Sequence, residues 1–162
     1  MAELSPILQA LYRGDRDEAE RLHAEARELD VFDAAALGDV ERLRTVLADD
    51  GDAVHAWSPD GFTALHYAAY FDGPGAARLL IEHGADLEAV STNEEFAPQA
   101  RPLHSAVAAG RGDVVEVLLH AGADPNARQH GGFTPLMAAE QAGNLELAEV
   151  LIRHGAVAGG GA

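Results

Sequence analysis

The stretch Gly61-Phe62-Thr63-Ala64-Leu65-His66-Tyr67-Ala68-Ala69 decides the fold, because the chain repeats it later as Gly132-Phe133-Thr134-Pro135-Leu136-Met137-Ala138-Ala139-Glu140. A third version, Arg101-Pro102-Leu103-His104-Ser105-Ala106, lies between these two stretches. Thr63 is 38 positions before Arg101, and Arg101 is 33 positions before Thr134. Self-similarity at a fixed period of this length is typical of a protein built from stacked structural repeats.

The residues of one repeat predict two short helices. Thr63 and Thr134 suit the N-cap position, while Pro102 and Pro135 suit the first helical position, where a missing N–H does no harm. Each motif leads to a second apolar block that ends in Gly-Ala; the three blocks are 77–81, 115–119 and 148–152. Helices this short are marginal in isolation, so the repeats must stabilise one another by stacking.

This pattern resembles the ankyrin repeat family, whose unit of about 33 residues carries Thr-Pro-Leu-His and a terminal Gly-Ala-Asp. The resemblance implies an all-α solenoid of stacked antiparallel helix pairs with short β-hairpin fingers. His66 and His104 fall on the histidine position of the motif, where the family uses the imidazole to hydrogen-bond backbone and to tie neighbouring units together. The motif residues expected to be structural are Thr63, His66, Pro102, His104, Thr134 and Pro135.

The repeat pattern divides the chain into five helical units. Only 24 positions separate Gly14 from Gly38, which leaves no room for a finger and makes the first unit a degenerate helical cap. The expected boundaries are the cap at 4–29, a divergent repeat at 30–59, a repeat with a long finger at 60–97, a repeat at 98–130, a C-terminal repeat at 131–157 and a flexible tail at 158–162.

Composition excludes several classes of function. The chain has 162 residues, of which 48% are apolar, and it contains no cysteine, so disulfides and thiolate chemistry are excluded. A formal net charge of -16 argues against binding to nucleic acid or to an anionic membrane surface. No apolar run approaches the roughly 18 residues of a membrane span, and no signal peptide is visible at Met1 to Gln9. We therefore expect a cytoplasmic protein.

No motif in the chain points to catalysis. The eight histidines show no pair at metal-ligand spacing on one helix, so neither a metal site nor a cofactor is expected. Asp49, Asp50 and Asp52 cluster where a helix is expected to turn, which favours a solvated turn over a catalytic site. The sequence predicts a protein that is not an enzyme, although a hidden enzyme or a small-molecule receptor remains an alternative.

The resemblance implies that a protein partner binds the concave face, which is made of the fingers and the exposed side of each first helix. Five of the nine aromatic residues lie between Trp57 and Phe71, and aromatic side chains dominate the energetics of interfaces. The alternative is that one or two of these rings pack between units. The candidate contact residues are Trp57, Phe62, Tyr67, Tyr70, Phe71, Glu94, Glu95, Phe96, Arg128, His130, Met137 and Gln141.

The finger at 87–101 is about five residues longer than the period predicts. Phe96 follows Glu94 and Glu95 there, and the two carboxylates would favour a basic partner. A tolerated insertion is the alternative to a recognition loop. Asp72 replaces the glycine found at the same place in other units, and it is expected to bend the turn beside Phe71.

Three functions remain open on the sequence alone. The first is a non-catalytic protein–protein interaction module that uses the concave face. The second is an acidic inhibitor or immunity-type protein that masks a basic surface. The third is a structural unit that self-associates through the mostly apolar helix at 145–152, although a monomer is expected.

Overall fold

The computed structural model describes residues 3–28, 30–71 and 73–159, and this part of the chain forms five consecutive pairs of α-helices. The pairs are α1 (Pro6–Tyr12) and α2 (Arg16–Glu25), α3 (Val31–Leu37) and α4 (Val40–Asp49), α5 (Ala64–Phe71) and α6 (Pro74–Glu82), α7 (Pro102–Ala108) and α8 (Gly112–His120), and α9 (Pro135–Gln141) and α10 (Leu145–Arg153). Short 3-10 turns add Gly51–His55 and His130–Gly132.

The pairs stack into an all-α solenoid. The first helices pack in chain order from α1 to α9, and the second helices do the same from α4 to α10. Fully buried leucines fill the layer of second helices at Leu43, Leu80, Leu118 and Leu151. Alanines occupy the interior of the first helices, where their small side chains allow the neighbouring helices to approach closely.

The helix starts follow from local sequence. The side chains of Ser5, Asp15, Asp30, Asp39, Thr134 and Asn144 each accept a backbone N–H of the first turn. Thr63 was expected to act in the same way, but its hydroxyl lies 2.8 Å from Nδ1 of His66. The Thr63 N–H also donates to this nitrogen, over 3.2 Å. In this unit the histidine ring therefore takes over part of the capping.

Glycine ends the first helix in four of the five units. Gly14, Gly38, Gly110 and Gly143 have φ angles of 75, 70, 69 and 67°, a left-handed conformation that side chains with a Cβ rarely adopt. The next residue then donates to a carbonyl inside the helix, as in Asp39 N–H to Ala34 O over 3.0 Å. Asp72, expected to bend the corresponding turn, lies outside the described residues.

The fingers contain little regular β-structure. Within the described ranges the β-pairing is one isolated antiparallel bridge, between Trp57 and Thr63. The two later fingers are closed by hydrogen bonds outside any strand, among them Ser91 N–H to Ala100 O (2.8 Å) and Gln129 N–H to Phe133 O (3.0 Å). The fingers are thus turns and loops that connect successive helix pairs.

The two ends of the stack differ. The cap helix α2 is covered by exposed ion pairs, including Arg16 to Glu20 (3.0 Å) and Arg21 to Glu25 (2.7 Å). At the other end, the side chains of Leu145 and Ile152 on α10 are exposed. The tail predicted at 158–162 falls mostly outside the described residues.

Among the described helices, none has the length and hydropathy that a bilayer crossing requires.

Candidate functional site

A groove of about 780 Å³ lies between the first helices and the fingers. We call these connecting segments the first finger (56–63), the long finger (87–101) and the third finger (124–133). The lining comes from these fingers, from the segment just before α1, and from α1, α5 and α7. Its members are Leu4, Tyr12, Asp60, Phe62, His66, Tyr67, Tyr70, Phe71, Phe96, Ala97, Pro98, Ala100, His104, Ser105, Ala108, Gln129 and His130.

Three aromatic side chains form the exposed part of the groove near α5. Tyr12 and Tyr70 are 46% and 44% exposed, and Phe71 lies between them. The ring centroid of Phe71 is 5.4 Å from that of Tyr12 and 5.1 Å from that of Tyr70, and both pairs meet edge to face. This arrangement, which we call the aromatic cluster, uses residues from two helix pairs, so it exists only when the cap is packed against the third unit.

Tyr67 is not available to a partner in the way that its position in the sequence predicted. Its side chain is 1% exposed, and its ring packs edge-on against Phe32 with centroids 5.8 Å apart. Its hydroxyl donates to Oδ1 of Asp60. Phe62 is also buried and packs against the rings of His66 and Tyr67. Both residues support the groove from beneath, because the cap and the first finger close over them.

Asp60 organises the hydroxyl groups around this floor. It accepts hydrogen bonds from Tyr67, from Ser58 and, over 2.8 Å, from Tyr12. Burial, followed by hydrogen bonding to Asp60, raises the pKa of Tyr12 and of Tyr67 well above the usual range, so both hydroxyls remain protonated donors.

Tyr12 and Asp60 were missed in the sequence, although one signal was present. The helix turns at Gly14 and at position 72 occupy the same place in their units, so Tyr12 corresponds to Tyr70. Applying the contact positions predicted for the other units to the degenerate cap identifies Tyr12 as a candidate contact residue.

The long finger is fixed to the first finger. Thr92 N–H donates to Gly61 O over 3.0 Å, and the Asn93 amide donates to Asp60 O over 2.9 Å. Oδ1 of Asn93 accepts the N–H of Glu95 (3.1 Å) and the N–H of Phe96 (2.7 Å), which sets the turn that carries Phe96. These bonds define the position of the extra residues on the groove wall.

The same finger is also joined to the third finger, since His130 N–H donates to Pro98 O over 3.2 Å. Its Gln99 has a left-handed backbone with φ 57°, which costs free energy for a residue with a Cβ. Phe96 projects from this braced segment with 83% of its side chain exposed. Glu94 and Glu95 beside it are exposed and form no ion pair within the described part of the chain.

His66 and His104 link successive units through the same geometry. Nε2 of His66 lies 3.1 Å from Ala100 O, and Nε2 of His104 lies 3.1 Å from Ala127 O. Nδ1 of each ring accepts a backbone N–H, from Thr63 and Arg101, so Nε2 carries the proton. Burial is the main cause that lowers both pKa values to about 4. Both imidazoles are therefore neutral at pH 7 and act as fixed linkers.

The other candidate residues lie apart from the aromatic cluster. Trp57 is 46% exposed on the first finger but is not part of the groove lining. Met137 and Gln141 lie on α9 beyond the lining, and the carbonyl of Arg128 accepts a 2.6 Å hydrogen bond from Arg101. His130 does line the groove.

Over residues 3–28, 30–71 and 73–159, no group of three histidine, aspartate or glutamate side chains comes together as metal ligands.

Comparison with known proteins identifies the repeats. The family model for ankyrin repeats in three copies matches residues 7–129, and the single-repeat model matches residues 131–158. Ankyrin repeats are protein–protein interaction modules. The three copies begin at residue 7, so the match includes much of the segment that the sequence predicted to be a degenerate cap.

Three curated relatives illustrate the similarity. The chain is 40% identical over 123 residues to human neurogenic locus notch homolog protein 4, covering 75% of this chain and 6% of that protein. It is 37% identical over 100 residues to the B-cell lymphoma 3 protein homolog of Mus musculus, covering 62% and 21%. It is 35% identical over 120 residues to NF-kappa-B inhibitor alpha of Gallus gallus, covering 72% and 37%.

The chain spans well under half the length of each of these relatives, so the similarity concerns their repeat regions. The repeated motifs, the stacked helix pairs and the family matches agree. The chain belongs to the ankyrin repeat family.

Proposed function

We propose that this chain is a non-catalytic module that binds a protein partner in its concave groove. The observation that carries the proposal is the groove itself, in which exposed rings from α1, α5 and the long finger border one cavity of about 780 Å³. Aromatic side chains in such positions supply much of the binding free energy at protein interfaces.

The hydrogen bonds within the groove support this proposal. The long finger is held on both sides, by Gly61 and by His130, and the floor is held by Asp60. A wall that is already ordered loses little conformational entropy when a partner binds, so more of the contact energy appears as affinity.

Comparative affinity capture tests the proposal. The wild-type chain and a Tyr70→Ala/Phe96→Ala variant serve as baits, because both side chains are exposed and their loss leaves the core intact. A Leu145→Ala/Ile152→Ala variant is the matched control, since it removes two exposed apolar side chains from the C-terminal end of the stack. We expect a partner retained by wild type and control and lost from the groove variant. A partner lost only from the control would move the site to α10.

An acidic inhibitor is the second candidate function. It is favoured by the exposed Glu94 and Glu95 on the long finger and by the net charge of -16. One relative carries the name of an inhibitor, NF-kappa-B inhibitor alpha. An inhibitor that masks a basic surface would associate rapidly at low salt and lose association rate steeply as salt increases. Association rates at roughly 0.05 and 0.5 M NaCl would separate it from a module that binds mainly through its aromatic rings.

Self-association is the third candidate, and it would use the exposed Leu145 and Ile152 on α10. We expect a monomer, and light scattering over a concentration series tests this expectation. A mass that rises with concentration for wild type and stays constant for Leu145→Ala/Ile152→Ala would assign the contact to α10.

The cytoplasmic location predicted from the sequence is tested by imaging the tagged chain in its source cell.

A further inference from the structure

We infer that the groove recognises an arginine side chain in an extended segment of its partner protein, with the guanidinium held against the aromatic cluster of Tyr12, Tyr70 and Phe71. This inference rests on the function proposed above and specifies the partner's chemistry. Its basis is the combination of exposed aromatic rings in the groove with Asp60 in the lining and with Glu94 and Glu95 next to the lining residue Phe96. These three carboxylates form no ion pair within the described ranges.

The aromatic cluster provides faces and edges in three orientations. The planes of Tyr12 and Tyr70 are turned by 66° and 83° from the plane of Phe71, with centroids within 5.4 Å. The two outer rings are close to half exposed. A flat, delocalised cation can stack on one ring while contacting the neighbouring ring, which favours guanidinium over the compact, strongly hydrated ammonium of lysine.

One carboxylate contacts the cluster, and two more lie on the long finger. Asp60 lines the groove floor and accepts the Tyr12 hydroxyl over 2.8 Å, and it forms no ion pair among the described residues. Glu94 and Glu95 are exposed and immediately precede Phe96, which lines the same groove. Arg111, the cation beside Tyr70, donates from Nε to the Tyr70 carbonyl over 3.1 Å and does not line the groove.

The groove length fits a segment of chain rather than an isolated side chain. The lining extends from Tyr12 in the cap to His130 in the third finger, across three helix pairs. Phe96 and Pro98 form an apolar wall along this path. An extended peptide could therefore place apolar side chains along the long finger and its arginine at the aromatic cluster.

A peptide selection tests this inference directly. A library of random peptides, each about 12 residues long, is screened for binding to the folded wild-type chain. The sequences of the peptides that bind are then examined for arginine. One of these peptides is then synthesised with arginine, with lysine and with citrulline, which keeps the planar shape but carries no charge. We expect arginine in most of the selected peptides, about tenfold weaker binding with citrulline and several-fold weaker binding with lysine.

Variants of the protein locate the contact. Tyr70→Leu keeps an apolar side chain but removes the ring, so it should weaken binding about tenfold, whereas Tyr70→Phe should leave the affinity within about twofold. Glu94→Gln/Glu95→Gln should weaken the arginine peptide several-fold and the citrulline peptide little. Circular dichroism and thermal unfolding establish that each variant is folded.

The outcomes separate this inference from the proposed function. The inference would be wrong if the selected peptides need Tyr70 and Phe96 but contain no arginine. It would also be wrong if these peptides bind equally well when lysine or citrulline replaces the arginine. In both cases the groove would remain the binding site. Selected peptides that bind the Tyr70→Ala/Phe96→Ala variant normally would overturn both the inference and the proposed function. A selection that yields no binder would also count against the inference, because a preformed groove should hold a short segment.

Discussion

The hydroxyl of Tyr12 donates a 2.8 Å hydrogen bond to Oδ2 of Asp60, a residue 48 positions further along the chain. The bond joins the last residue of α1 to the first finger and passes over the buried Tyr67, whose hydroxyl binds the same carboxylate. The first helix pair is therefore part of the groove as well as the end of the stack.

Tyr12→Phe should lower the free energy of unfolding by about 1 kcal/mol, the usual net value of one hydrogen bond. The ring contact with Phe71 is preserved, so the change isolates the hydroxyl. Urea unfolding followed by the fluorescence of Trp57, the single tryptophan, measures the effect. Tyr70→Phe is the control, because the structure gives the Tyr70 hydroxyl no hydrogen bond within the described residues. Equal losses for the two variants would contradict the role of the Tyr12–Asp60 bond.

Gly61→Ala should detach the long finger from the first finger. Gly61 has φ 86°, and a Cβ there would lie 2.5 Å from Oγ1 of Thr92 and 2.7 Å from the Asn93 nitrogen. We expect the free energy of unfolding to fall by about 2 kcal/mol or more, because backbone strain adds to the clash. We also expect faster proteolysis within the long finger. Gly84→Ala is the matched control, because Gly84 has φ 89° with no atom within 4 Å. Backbone strain alone should lower the free energy of unfolding there by about 1 kcal/mol.

If the Gly61 and Gly84 variants lose similar amounts of unfolding free energy, the contact between the two fingers contributes no stability. Loss of peptide binding by Gly61→Ala, with the helical signal retained, would in contrast indicate that the long finger must be in place for recognition.

The helical architecture was predictable because each unit carries its own local signals. Thr134 caps its helix as the sequence predicts, and glycine follows the first helix at the same place in four units, at 14, 38, 110 and 143. These features depend on residues only a few positions apart. They also recur at a fixed period, so a weak signal in one unit was supported by the same signal in the next.

The burial of Tyr67 was not predictable from a single helix. The spacing of Leu65, Ala68 and Ala69 predicts one apolar helix face, and Tyr67 lies outside that face. In the structure α5 is packed between α3 and α7, with the first finger and Tyr12 above it, so almost every residue of the helix is buried. Tyr67 is a core residue because side chains from other units cover it, and that information is absent from its own repeat.

Acidification should destabilise the fold through His66 and His104. Their pKa values are about 4 in the folded protein, below the usual 6.5, so between these pH values the unfolded chain binds protons that the native state does not. Their contribution to stability is present above about pH 6.5 and is lost as the pH falls towards 4. Protonation of Nδ1 would also remove the acceptor of the Thr63 and Arg101 N–H groups.

Urea unfolding at several pH values from about 7.5 down to about 4.5 measures this effect. Each histidine can contribute up to about 1.4 kcal/mol per pH unit within the window. His104→Gln should be less stable than wild type near neutral pH, but its stability should fall less steeply on acidification. A pH dependence that is identical in wild type and variant would show that His104 does not titrate differently in the two states.

Asp33 should act in the opposite direction. Its carboxyl is buried and accepts a hydrogen bond from Ser5, and burial raises its pKa from 3.8 to about 6. The native state therefore binds this proton more tightly than the unfolded chain does. The resulting stabilisation is complete below about pH 4 and is lost as the pH rises through 6, where the native state must hold a buried charge.

Asp33→Asn should therefore raise the free energy of unfolding at about pH 7.5, by about 1 to 2 kcal/mol, because it keeps an acceptor for Ser5 without the charge. At about pH 4 the wild-type carboxyl is already neutral in the native state, so the gain should vanish. Glu94→Gln is the control, since it removes one exposed negative charge and reports the general relief of the net charge of -16. A gain of the same size at both pH values would mean that the asparagine side chain packs better than aspartate at this position, and that the buried charge is not the cause.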